Sequence, residues 1–166
     1  MNKVKNMVNQ LYEIANLEPG FDIEKLVVDL GGTIEYVYSP NMDAYIQKYG
    51  NAFEIVLDKS KPRSRQRFSI AHELGHLLIH LHYFDRKIWN SLKDVDTRIY
   101  RYGYDQFERE ANEFAAELLM PELDFVNYLE KFSNEEFYDL SSIARHFAVS
   151  KDAVNYRGYN LGIWSI

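Results

Sequence analysis

The sequence predicts an α+β fold: a small antiparallel β-sheet packed on a helical bundle, closed by a helix-turn-helix-like pair at the carboxy terminus. Two observations carry this. Apolar residues recur at helical spacing before residue 31 and again after residue 61, whereas β-rich runs are confined to residues 33–57. Helices, a short block of strands and helices again imply segregated layers rather than an alternating α/β sheet.

Val4, Met7, Leu11 and Ile14 make residues 3–16 an amphipathic helix, which Pro19-Gly20 breaks. A second short helix over 23–30 stops at Gly31-Gly32. Residues 33–38 and 52–57 are strands, and 44–47 form a shorter one between them. Ser39-Pro40-Asn41 and Tyr49-Gly50-Asn51 supply the turns. After Lys61-Pro62 one helix covers residues 64–82 and another 105–120, where Pro121 ends it. Two further helical segments fall near 139–147 and 150–158, while the aromatic and charged stretch 83–104 gives no clear pattern.

At 166 residues the chain suits one domain with a proper core. Within it, residues 1–30 are amino-terminal helices, 31–60 the sheet, 61–122 the central helices and 139–160 the carboxy-terminal pair. A hydrophobic content of 46% with 15% aromatics is that of a folded protein. No cysteine is present, so a metal site must rest on His and carboxylate. The amino terminus lacks an apolar secretory core, and no segment approaches the roughly 18 apolar residues of a membrane span. A cytoplasmic protein with no membrane partner is expected. The net charge of -6 gives no reason to expect general nucleic-acid affinity.

The chemistry concentrates in His72-Glu73-Leu74-Gly75-His76. Two imidazoles four residues apart on a helix are offset by about 40° and roughly 6 Å, so they can share one zinc ion. The glutamate between them is placed to take a proton from an activated water. Ile70, Leu74, Leu77, Leu78 and Leu81 form the opposite, apolar stripe, and His80 and Ile79 lie on or beside the chemical side. Because Ile79 is apolar, that side is expected to be covered by other structure.

A zinc peptidase needs a third protein ligand and an open position. His82 is rejected, because Ile79 stands where a chain-reversing glycine would be required. The alternative is a glutamate from residues 105–120, whose apolar face is Phe107, Ala111, Phe114, Ala115 and Leu118. Glu110 borders that face and is favoured over Glu117, two turns further on. Glu108 borders the opposite edge, and Glu113 points towards solvent.

Residues 67–76 (Arg-Phe-Ser-Ile-Ala-His-Glu-Leu-Gly-His), then His80, then 108–121 (Glu-Arg-Glu-Ala-Asn-Glu-Phe-Ala-Ala-Glu-Leu-Leu-Met-Pro) resemble the ImmA/IrrE family of metallo-endopeptidases. The resemblance implies a gluzincin-like site with His72, His76 and Glu110 as zinc ligands and Glu73 as catalytic acid/base. His80 fits the family pattern and is read as a packing or supporting residue. The resemblance further implies a bacterial or phage protein whose substrate is a helix-turn-helix repressor of a mobile element or stress response.

Residues 140–157 have the rhythm of a helix-turn-helix, with Ser150 as the cap of its second helix. A DNA-reading helix needs several basic or amide side chains aimed at a groove. This one offers Lys151, Asn155 and Arg157 beside Asp152, so a packing or partner-binding role is favoured over direct DNA binding. Two other functions stay open: a regulatory protein that sequesters a repressor without cutting it, and a DNA-binding regulator. With thirteen tyrosines in the chain, the group that stabilises the oxyanion has no single candidate.

Overall fold

A computed structural model describes residues 2–93, 96–98, 105–132 and 138–165. Tyr100, Tyr102 and Tyr104 of the unassigned stretch lie outside the described residues.

Helix α1 (Lys3–Ala15) begins where the Asn2 side chain accepts from Val4 N, and it buries Val4, Val8 and Leu11. Its Tyr12 hydroxyl donates to the Leu118 carbonyl at 2.9 Å, tying the amino-terminal helix to the end of a later one. Asp22 caps α2 (Ile23–Asp29) by accepting from Glu24 N and Lys25 N. A side-chain cap of this kind contributes about 1 kcal/mol.

The three strands, β1 (Gly32–Val37), β2 (Ala44–Tyr49) and β3 (Ala52–Asp58), lie in the order β1-β3-β2. β2 and β3 form an antiparallel hairpin across Tyr49-Gly50-Asn51, but β1 pairs parallel with β3. The sheet is therefore mixed, not wholly antiparallel as expected. Two reversals of direction separate β1 from β3, so they run the same way once β3 inserts between its predecessors. β3 takes the centre because it is the most apolar strand: Phe53, Ile55, Val56 and Leu57 are all buried, whereas β1 and β2 leave Tyr36 and Tyr49 exposed. The Phe53 ring crosses β1 so closely that a Cβ on Gly32 would stand 2.3 Å from it, which requires glycine there.

The central helix, α3 (Arg63–Gly75), does not run unchanged to residue 82. It widens into a π-helical turn, His76–His80, closed by Leu81 N donating to the His76 carbonyl. Ile70, Leu74, Leu77, Leu78 and Ile79 are all buried, so the side carrying Ile79 is covered. Within the stretch that gave no pattern, α4 (Arg86–Ser91) buries Trp89 completely, and its indole donates to the Asn51 carbonyl at 3.0 Å.

Helix α5 (Asp105–Leu119) packs across α3. A helix not anticipated from sequence, α6 (Glu122–Phe132), follows directly. Pro121 ends one helix and starts the next, since its carbonyl accepts from Phe125 N at 2.8 Å and its fixed φ suits a first turn. Helices α7 (Leu140–Phe147) and α8 (Lys151–Asn160) form the expected pair, and the Ser150 side chain accepts from Ala153 N at the start of α8. With α6 they enclose a second apolar cluster of Phe125, Leu129, Ile143, Phe147 and Val154.

Two of the three α8 side chains considered for DNA contact are held by the protein. Arg157 is buried, donates to the Met120 carbonyl at 3.0 Å and pairs with Glu117. Asn155 accepts from the Trp164 indole through its backbone and side-chain oxygens. Among the described residues, no helix is long and apolar enough to cross a membrane.

Candidate metal centre

The centre lies where α3 crosses α5. Gly75 makes the crossing close: a Cβ there would meet the Ala111 Cα at 3.1 Å and the Phe114 Cβ at 3.2 Å. With the backbones this near, carboxylates on α5 reach the imidazoles of α3.

Glu108 completes the histidine pair. Its carboxylate lies 3.4 Å from His72 Nε2 and 3.2 Å from His76 Nε2, and the two Nε2 atoms are 3.1 Å apart. His72, His76 and Glu108 are the group of metal-capable donors brought together among the described residues. Glu110, expected in this position both from the helical wheel and from the family resemblance, is turned to His80 instead, at 3.2 Å. The reason lies in the α5 surface. Glu108 and Glu110 flank opposite edges of its buried stripe, and the edge facing His72 is the one that carries Glu108 and, one turn later, Asn112.

Asn112 supplies a contact that sequence reasoning overlooked. His72 Nδ1 lies 2.9 Å from Asn112 Oδ1, so Nδ1 carries the proton and donates, which leaves Nε2 bare for a metal. On the other histidine the π-helical turn has the same effect through a longer relay. His76 Nδ1 is 2.9 Å from His80 Nδ1, and His80 Nε2 is 3.2 Å from Glu110 Oε2. For His76 to present a bare Nε2, its Nδ1–H donates to His80, and His80 in turn donates from Nε2 to Glu110. His80 also stacks on Phe107, with ring centroids 4.4 Å apart. Glu110 thus ends the relay that orients His76, and the expectation that His80 supports the site without ligating agrees with this geometry.

The electrostatics push the two imidazoles in opposite directions. Burial, reinforced by the neighbouring His72, pushes the His76 imidazole down to about 3, so it is neutral at physiological pH. Burial also works against a charged His72, but the hydrogen bond and charge of Glu108, with Glu73 and Asn112, outweigh it and raise that imidazole above its ordinary value. Burial lowers His80 despite its bond to Glu110. Glu110 itself is lowered by its hydrogen bond from Gln106, beyond which burial opposes and His80 assists the charged form.

Glu73 is buried 24 residues before its partner in sequence, Thr97, whose hydroxyl donates to Glu73 Oε2 at 2.7 Å. Sequence reasoning placed nothing at Thr97, which lies in the stretch without a pattern. Glu73 also lines a cleft of about 190 Å³ together with His72, Glu108, Asn112, Phe68 and Ala44. Glu73 and two of the three metal-capable donors, His72 and Glu108, therefore open onto the same space, while His76 is buried.

The remaining carboxylates and His82 have other places. Glu117 is buried in its ion pair with Arg157 and accepts from Glu122 N, and Glu113 accepts from Asn2 at the start of α1. His82 is exposed at a chain reversal with φ 50°, in keeping with its rejection as a ligand.

The donor set fits a divalent metal ion. Three ligands at zinc–donor distances of 2.0–2.1 Å in tetrahedral geometry stand about 3.3–3.4 Å apart. The two Nε2 atoms are 3.1 Å apart, and Glu108 offers them separate oxygens, Oε1 at 3.2 Å from His76 and Oε2 at 3.4 Å from His72, so either oxygen can serve as the third donor. The model of the IrrE N-terminal-like domain matches residues 37–159, which takes in both site helices and the sheet strands that flank them.

The chain belongs to the ImmA/IrrE family.

A curated relative, the Metallopeptidase ImmA of Bacillus subtilis (strain 168), is 24% identical over 160 residues, covering 95% of this chain and 79% of that protein. Among solved structures, a Mycobacterium tuberculosis transcriptional regulator superposes with a TM-score of 0.65 at 15% identity, over 95% of this chain. This chain spans 46% of that regulator's length, so the likeness concerns the fold. The family is one of metallopeptidases, and the metal-capable cluster lies within the matched region.

Proposed function

We propose that the chain is a zinc (Zn2+) endopeptidase that cuts a peptide bond in a specific protein partner, a helix-turn-helix repressor of a phage or mobile element, in the cytoplasm where such a repressor works. The observation that carries the reading is the clustering of His72, His76 and Glu108, one donor atom from each within 4.8 Å of the others, beside a cleft that His72, Glu108 and the buried Glu73 line together. A purely structural metal would need no buried carboxylate opening onto the same space.

Zinc at this site supplies electrophilic activation, polarising the scissile carbonyl and lowering the pKa of a water molecule towards 7. The protein does the rest. Asn112 and the His80–Glu110 relay fix the two imidazoles. Glu73 accepts the proton of the attacking water and returns it to the leaving amine, a contribution of about 10²–10⁴ in rate. Helices α7 and α8 serve as part of the packed body and of the partner surface. Two of the three side chains weighed for groove reading have internal partners, Arg157 on Met120 and Glu117 and Asn155 on Trp164, which supports a packing role.

The test is co-incubation of the zinc-loaded chain with any helix-turn-helix repressor found to be encoded beside its gene. Glu73→Gln is expected to hold zinc as the parent does while cleavage falls by about 100-fold or more. Cleavage at the parental rate by Glu73→Gln contradicts the reading. Equal relief of repression by both proteins with no fragments favours sequestration instead.

A further inference from the structure

β2 is an edge strand, with β3 on one side only. Its outer side is not bare. Asp96 forms an antiparallel bridge with Gln47. Thr97 Oγ1 accepts from Ile46 N at 2.9 Å. The Arg98 guanidinium lies over the Tyr45 ring, 4.2 Å from its centroid, and is braced by Asp96. The three consecutive residues thus meet 47, 46 and 45 in turn, Asp96 through a single antiparallel bridge and Thr97 and Arg98, which lie in a 3-10 turn, through their side chains. Thr97 is buried, and the hydroxyl that accepts from Ile46 N donates to Glu73 Oε2 at 2.7 Å. One three-residue segment therefore caps the free sheet edge and engages the proposed catalytic carboxylate.

An exposed strand edge is a template for an extended peptide, whose backbone supplies the missing hydrogen bonds. Here that edge runs from Ala44, which lines the cleft, along the Tyr45–Gln47 stretch that residues 96–98 cover. We propose that residues 96–98 are a built-in strap standing in for substrate: an extended peptide pairs with the outer edge of β2, and reaches Glu73, only after Asp96, Thr97 and Arg98 have left it. The inference rests on the metallopeptidase reading and deepens it, since it names the recognised chemistry (an extended peptide backbone) and a control over access.

The chain contains no cysteine, so a single engineered pair reports cleanly. Gln47 and Asp96 are partners of an antiparallel bridge, a spacing that a disulfide spans. The zinc-loaded double variant Gln47→Cys/Asp96→Cys is titrated by calorimetry, oxidised and reduced, with two probes. Acetohydroxamic acid chelates zinc without a peptide, and an N-acyl tripeptide hydroxamate adds an extended backbone. The oxidised protein is expected to bind acetohydroxamate as the reduced one does, and to bind the tripeptide hydroxamate at least tenfold more weakly. As a second variant, Thr97→Val, which keeps the side-chain volume but removes the hydroxyl, is expected to bind the tripeptide probe more tightly than the parent. Equal tripeptide affinity in the oxidised and reduced states overturns the strap alone. Failure of the parent to hold zinc or acetohydroxamate overturns the metallopeptidase reading, and the strap with it.

Discussion

Asn112 holds the ring of His72, with Oδ1 2.9 Å from Nδ1, from a position one helical turn beyond Glu108. One edge of α5 thus carries both a carboxylate for the metal centre and the group that orients its imidazole. Loss of such a supporting contact lowers metal affinity by about 10–100-fold. Asn112→Ala is therefore expected to weaken zinc binding by that factor with the fold intact, as read by competition against a chromogenic chelator alongside circular dichroism. Unchanged affinity would remove Asn112 from the site.

Gly75 sets how closely α3 and α5 approach. An alanine there would press its Cβ on the Ala111 Cα and on Phe114, at 3.1–3.2 Å, and both belong to a helix rather than to a pliable side-chain tip. Overpacking of this kind costs about 1–3 kcal/mol. Gly75→Ala is expected to lower the melting temperature and to weaken zinc binding together, because moving α5 away carries Glu108 with it. A thermal melt with a zinc titration checks both, and a lowered melting temperature with full zinc affinity would contradict the geometric link.

Arg157 and Glu117 form a buried pair joining α8 to the end of α5. Removing one partner of such a pair leaves an uncompensated charge and costs about 3–5 kcal/mol. Arg157→Ala is expected to destabilise the protein by that amount in urea unfolding. A stable variant that instead loses affinity for DNA would favour a groove-reading role for the carboxy-terminal pair.

Much of this was legible in the residues. His72, Glu73 and His76 needed only helical spacing, and Ile79 already implied a covered chemical face. Glu108 was not legible, because a helical wheel shows two carboxylates flanking the α5 stripe and says nothing of which edge meets α3. The overlooked signal was Asn112: an amide four residues after Glu108 on the same edge marks the side with a polar task, whereas Glu110 has Gln106 on its own side, 2.9 Å away. The parallel pairing of β1 with β3 depends on which strand the core draws to the centre, and α6 was hidden because Pro121 reads as a stop although it also starts a helix. Thr97 could not be found from local pattern, since its partners lie 24 and 51 residues away.

The central claim is that His72, His76 and Glu108 hold one zinc ion, with Glu110 acting only through His80. Zinc competition titrations on the parent, Glu108→Gln and Glu110→Gln test it most directly. One zinc per chain is expected in the parent, an affinity loss of well over 100-fold in Glu108→Gln, and a loss of about 10-fold in Glu110→Gln, the lower end of what a supporting contact contributes. A larger loss in Glu110→Gln than in Glu108→Gln would contradict the account.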